Sequence, residues 1–110
     1  MEPQLVIIES PFAGNIAENI KYTRACMREC LTKYNEYPFA SHLLYTQEGV
    51  LDDKNKIERA LGIAAGLSWG RFATKTVVYV DNGISSGMKM GIKNALFEGR
   101  PVEYRRLQQK

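Results

Sequence analysis

Four short strand-like segments alternate along this chain with three longer segments of helical periodicity, and no other feature constrains the fold as much. Leu5, Val6, Ile7 and Ile8 form a continuous apolar run, the pattern of a strand buried on both faces. The run ends in Glu9 and the turn Ser10-Pro11-Phe12-Ala13-Gly14, with Asn15 as the predicted cap of a first helix. Ile16, Ile20, Met27, Leu31 and Tyr34 predict its buried face, with Glu18, Lys21, Arg28 and Lys33 lying largely elsewhere. Residues 37–42 predict a shorter second strand, which Pro38 assigns to an edge. The loop over 43–53 is apolar for a loop and is expected to fold over something. Ile57, Ala60, Leu61, Ala64 and Leu67 predict the inner face of a second helix, with Trp69 expected in the core or a subunit contact. Gly62 and Gly66 sit one turn apart in that helix. Interior glycines cost roughly 1 kcal/mol each, so close helix–sheet or subunit packing is expected there. Residues 76–80 predict a third strand. Met88, Ile92, Ala95 and Leu96 predict a last helix closed at Gly99, and residues 100–105 a last strand entered through Pro101.

The order β-α-β-α-β-α-β predicts a parallel sheet with helices on both faces and right-handed crossovers. The expected architecture is a single α/β domain over residues 1–110, a three-layer Rossmann-like or flavodoxin-like sandwich. Its four-stranded parallel sheet has the economical order 2-1-3-4. Ligands in such sheets bind outside the strand ends where the order reverses, here between the first and third strands. That selects the loops over 9–14 and 81–88.

A length of 110 residues fits one domain, and 45% hydrophobic with 25% charged residues is an ordinary globular composition. The net charge of +3 is mild. Part of it, in Arg100, Arg105, Arg106 and Lys110, is expected in a solvated tail. No basic stripe interleaved with aromatics is visible, which argues against nucleic acid. Cys26 and Cys30 lie one helical turn apart, so a disulfide between them would crosslink almost nothing. Free thiols in a reducing compartment are expected. With His42 they lack a fourth ligand, so no metal is expected, and no cofactor is predicted. The first residues do not resemble a signal peptide, and no apolar run reaches the roughly 20 residues of a membrane span. A cytoplasmic protein without a membrane partner is the expectation.

The selected loops carry the candidate chemistry. Asp81-Asn82-Gly83-Ile84-Ser85-Ser86-Gly87-Met88 leads into a helix, where free N–H groups favour an anion. A plain helix capped by Ser85 or Ser86 explains the same residues. Across the crevice, Ser10, Pro11 and Phe12 supply a hydroxyl and a ring that would cover a base or the local core. Glu9 ends a buried strand, where desolvated carboxylates often bind ligand or do chemistry; pairing with Arg24, Arg59 or a backbone donor is the alternative. His42, the one histidine, falls on the same rim, with a hydrogen-bonded structural role as its alternative. Asp52, Asp53, Glu58 and Arg59 cluster at the start of the second helix, where acidic residues complement the dipole.

Ser10-Pro11-Phe12, Ala40-Ser41-His42-Leu43, Leu51-Asp52-Asp53, Glu58-Arg59 and the Gly83–Met88 helix entry occur here in order. Together they resemble the small bacterial and viral domains of the nucleoside 2-deoxyribosyltransferase-like group, over about residues 5–106. The resemblance implies a nucleoside or nucleotide ligand held by Ser10, Pro11, Phe12, His42, Asp81, Ser85, Ser86, Gly87 and Met88. The transferases of that group cleave an N-glycosidic bond with a glutamate nucleophile on the last helix. The matching position here is Gly91, which has no atom to attack with. An aspartate that often precedes that glutamate matches Ser85. Glu9 and Asp81 are the carboxylates that would replace the nucleophile.

Three functions follow in order. The first is binding of a nucleoside- or nucleotide-like molecule without turnover, with sequestration of a nucleotide signal by a viral protein as one form. The second is an N-glycosidase or deoxyribosyltransferase using a relocated carboxylate. The third is a scaffold module without ligand, joined through Gly62 and Gly66. Related domains often assemble, so a homo-oligomer is expected.

Overall fold

The computed structural model describes residues 2–108. Its elements run β1 (Gln4–Glu9), α1 (Ile16–Lys33), β2 (Glu36–Phe39), α2 (Ser41–Leu44), α3 (Lys56–Gly70), β3 (Lys75–Tyr79), α4 (Ser86–Phe97) and β4 (Val102–Arg105). The strands form one parallel sheet in the order β2-β1-β3-β4, the predicted architecture and order. Asn15 caps α1 by accepting from the Glu18 N–H, and Pro38 lies on an edge strand. The second strand ends earlier than predicted, at Phe39, because Ser41 and His42 open the single helical turn α2; Asn55 caps α3 through the Ile57 and Glu58 N–H groups. No helix among the described residues is long and apolar enough to cross a membrane.

Strand alternation divides the sheet into two unlike faces. Val6, Ile8, Val77 and Tyr79 pack with Cys26 and Cys30 of α1. On the other face lies α4, against β1, β3 and β4, with α3 beside it. The α1 face is partly polar, which corrects the helix face read from periodicity in part: Met27 packs on the core and Ile20 and Tyr34 are half-buried. Thr23, Cys26, Glu29 and Cys30 are buried, whereas Ile16 and Leu31 are exposed. Glu29 turns inward because it accepts from Tyr79 Oη at 2.7 Å and from the Gln108 N–H at 2.8 Å. Both cysteines are free and buried, and burial raises both thiols, that of Cys30 to about 11.

The expected inner face of α3 is also corrected: Ile57 is 75% exposed and Leu61 57%. The helix turns a glycine stripe inward instead. A Cβ at Gly62 would lie 3.4 Å from Leu51 Cδ1, one at Gly66 2.5 Å from Ser41 Oγ, and one at Gly70 3.2 Å from Arg100 Nη2. The glycines therefore admit other parts of the same chain, not the sheet. Trp69 is 56% exposed and packs on Phe39 and Phe72, outside the core. Leu96, placed on the inner face of the last helix, is likewise exposed.

The two glycines should respond oppositely to alanine. At Gly62 the added methyl makes ordinary contact, so the helix-propensity gain of about 0.5–1 kcal/mol should survive. At Gly66 the methyl meets both Oγ and Cβ of Ser41, so α2 must move, and Gly66→Ala should lose about 1–3 kcal/mol. Urea denaturation of the two variants measures the difference.

Arg100 and Arg105 correct the expectation of a solvated tail: each is only 8% exposed. Arg106 is exposed, and Lys110 lies outside the described residues.

Candidate functional site

A cavity of about 170 Å³ opens at the C-terminal end of β1, enclosed by α2, α3 and the N-terminal half of α4. A cavity of about 150 Å³ holds benzene, and drug-sized pockets start near 300 Å³. The enclosed space therefore suits one ring system. Glu9, Ser10, Phe12, His42, Ser85, Ser86, Gly87 and Met88 all line it, so eight of the sequence-predicted site residues meet at one place. Pro11 and Asp81 are not part of the lining.

Ser10 and His42 meet through packing of the β1 end against α1 and α2. Ser10 Oγ lies 2.9 Å from His42 Nε2 and 2.6 Å from Thr23 Oγ1, while Thr23 donates its hydroxyl proton to Asn19 O. With that proton committed, Ser10 donates to Thr23 and accepts from a protonated Nε2. Burial pushes His42 down to about 4, so the ring is neutral around pH 7. In this arrangement His42 holds Ser10 rather than deprotonating it. The pair orients the cavity wall, and Phe12 stands edge-on to the same imidazole at 6.1 Å.

Glu9 lies on the α4 side of the sheet, against Gly91. A Cβ at Gly91 would fall 1.9 Å from Glu9 Oε2 and 2.7 Å from Oε1, so only glycine leaves room for this carboxyl. Burial raises the carboxyl to about 8, with Arg100 working weakly in the opposite direction. Neither Arg24 nor Arg59 pairs with it. Arg100 is committed elsewhere: Nε donates to Thr76 Oγ1 at 2.9 Å, and Nη1 to Gly70 O at 2.8 Å and to Glu98 Oε1 at 2.6 Å. Among the described residues the Glu9 carboxyl has no hydrogen bond or ion pair.

Asp81 faces the opposite way. It continues the alternation of Val77 and Tyr79 toward α1, where its Oδ1 accepts from Tyr22 Oη at 2.5 Å and from the Leu107 N–H at 3.1 Å. Its carboxylate fastens α1 to the end of the chain and does not reach the cavity. At the entry to α4, Ser85 caps the helix by accepting from the Met88 N–H at 3.2 Å. The N–H groups of Ser86 and Gly87 have no intrahelical acceptor. On the rim, Asp53 pairs with Arg59 at 3.1 Å, and Glu58 accepts from the Asp52 N–H at 2.7 Å.

Arg100, Gly91 and Phe39 were not singled out from the sequence as lining groups. For Arg100 a signal existed: it precedes the last strand, so it is not in a tail. Tyr45 lines the cavity from within the same chain.

Sheet order, helix placement and the strand-end cavity define a four-stranded parallel α/β domain with a candidate site at its switch point. The chain is similar in structure to a 2-deoxyribosyltransferase from the psychrotolerant bacterium Bacillus psychrosaccharolyticus, with a TM-score of 0.71. That match covers 96% of this chain and 74% of the other at 17% identity, a likeness of fold. The chain itself belongs to the family described as Domain of unknown function (DUF7768), which matches residues 4–105. The comparison with curated proteins returned no match.

Proposed function

We propose that this domain binds a nucleoside or mononucleotide, with its base in the strand-end cavity and its sugar or phosphate toward the Ser86 and Gly87 N–H groups. The observation that carries the reading is the cavity itself. It is sized for one ring, walled by Phe12, Phe39 and Met88, and adjoins uncommitted helix N–H groups that suit an anion. A larger ligand such as ADP-ribose would leave most of its surface outside. Binding is favoured over turnover because Glu9, the one cavity-lining carboxyl without a hydrogen bond or ion pair among the described residues, is largely protonated at pH 7 and a neutral acid is a poor nucleophile. Sequestration of a nucleotide signal fits such a protein.

A thermal-shift panel of nucleosides, deoxynucleotides, NAD, ADP-ribose and cyclic dinucleotides tests this. A ligand at 100 times its Kd adds about 2.7 kcal/mol, which raises the Tm of a domain this size by several degrees or more. Nucleosides or mononucleotides should give the shift. Chromatography of the same samples should recover them intact, whereas base release would establish the N-glycosidase reading. A flat panel on folded protein would favour the scaffold reading, with the exposed apolar face of α3 at Ile57 and Leu61 as the surface available for a homo-oligomer.

A further inference from the structure

We infer that the Glu9 carboxyl reads the hydrogen-bonding edge of the bound base, and that Gly91 is the residue that lets it do so. The inference rests on the ligand-binding reading above and names the group that would give it chemical selectivity.

Three observations carry it. First, the carboxyl occupies the space that any side chain at position 91 would fill, with both oxygens within 2.7 Å of a Cβ there. Second, it lines the cavity without a hydrogen bond or ion pair among the described residues, while its nearest cation, Arg100, is held by Thr76, Gly70 and Glu98. Its hydrogen-bonding capacity is therefore unfilled by protein and open to a group in the cavity. Third, Phe12, Phe39, Leu51, Ile63 and Met88 make much of the wall apolar. Such walls suit the two faces of a flat ring. A sugar would bring hydroxyls on every side, each requiring its own acceptor or donor.

The chemistry of the edge follows. A protonated carboxyl presents an acceptor and a donor side by side. It complements any ring edge that carries an N–H beside a carbonyl or ring nitrogen, as the amide and amidine edges of nucleobases do. Burial holds Glu9 in that form up to about pH 8. The other ionisable groups lining the cavity are His42, Tyr45, Asp53, Glu58, Arg59 and Arg100, and of these Asp53 and Arg59 pair with each other.

Calorimetry at pH 7 and pH 9 on wild type, Glu9→Gln and Glu9→Leu tests the inference. The probes are cytosine, adenine and their nucleosides, with 2-deoxyribose as control. Wild type should bind the bases and nucleosides but not the sugar, and more weakly at pH 9. Glu9→Leu, which removes a bidentate pair, should lose about 10- to 100-fold in affinity. Glu9→Gln keeps a donor beside an acceptor; it should retain binding at pH 7 and show no weakening at pH 9. Nucleoside binding unchanged by Glu9→Leu, or Gln behaving like Leu, would overturn the inference while leaving the ligand reading intact. Binding of 2-deoxyribose without the bases would overturn the inference together with the placement of the base in the cavity. If no probe binds folded wild-type protein, both fall together.

Discussion

Arg105→Ala is expected to lose about 3–5 kcal/mol of stability, a large share of what a domain this size possesses. The guanidinium is almost wholly buried on the α1 face of the sheet and is bidentate to Glu36, at 2.9 and 3.0 Å. It also donates to Glu103 Oε2 at 2.7 Å and to Tyr79 Oη at 3.3 Å, and it stacks on Tyr34 at 3.8 Å. Lys75 closes the cluster, bonding Glu36 at 2.8 Å and Glu103 at 2.7 Å. Removing Arg105 would strand Glu36, which is 2% exposed, with Lys75 as its one remaining cation. The size of the loss is thus the penalty of a buried carboxylate, not the net worth of the pair. A double replacement, Glu36→Leu with Arg105→Met, should recover most of it. Equilibrium urea denaturation gives both values; a loss below about 1 kcal/mol for the single variant would show the cluster to be hydrated and weak.

Burial works against ionisation of Glu36 and Glu103, but their hydrogen bonds from Arg105 and Lys75 outweigh it and hold both below the ordinary 4.5. Their contribution is present above 4.5 and lost as pH falls below it.

Glu9→Gln should make the protein more stable at alkaline pH, by about 3–5 kcal/mol at pH 9. Glu9 rises from 4.5 in the unfolded chain to about 8 in the fold. Between those values the folded protein keeps a proton that the unfolded chain has released. Stability therefore falls with rising pH, at about 1.4 kcal/mol per unit. His42 acts in the other sense: lowered from 6.5 to about 4, it makes stability rise with pH across that window. The two slopes cancel between 4.5 and 6.5. From 6.5 to 8 only the Glu9 slope remains, so wild type should decline there while Glu9→Gln stays level. Thermal melts at intervals from pH 5 to pH 9 distinguish the two curves, and parallel curves would show that the carboxyl is hydrated. A group that destabilises the fold yet faces a cavity matches the trade of stability for function seen at binding sites.

Much of the site was legible before any coordinates. The turn after Ile8 and the serine–glycine entry to the last helix were selected by the rule for switch points, His42 was placed on the same rim, and they meet around one cavity. Glu9 and Asp81 looked equivalent, each a carboxylate at a strand end. They differ because Glu9 shares its face with Val78 through the β1–β3 register, while Asp81 follows Val77 and Tyr79 to the α1 side. The register that separates them is a pairing between distant segments, and it leaves no mark in either segment alone.

The apolar runs, the Asn15 and Ser85 caps, the edge proline and the alternation of strands with helices were determined by the chain itself. Each depends on residues within a few positions of one another, and backbone sterics, side-chain period and local hydrogen bonding set them. The inward faces of α1 and α3 were decided by tertiary packing. Periodicity locates an apolar stripe, but polar partners across the sheet drew Glu29 and Thr23 inward, and the glycine stripe of α3 let Ser41 and Arg100 approach while Ile57 and Leu61 stayed outside. The Arg105–Glu36 pair joins residues 69 positions apart, and the Glu9–Gly91 contact spans most of the chain. Such contacts are set by the shapes and charges that meet when the layers close, and local pattern carries no record of them.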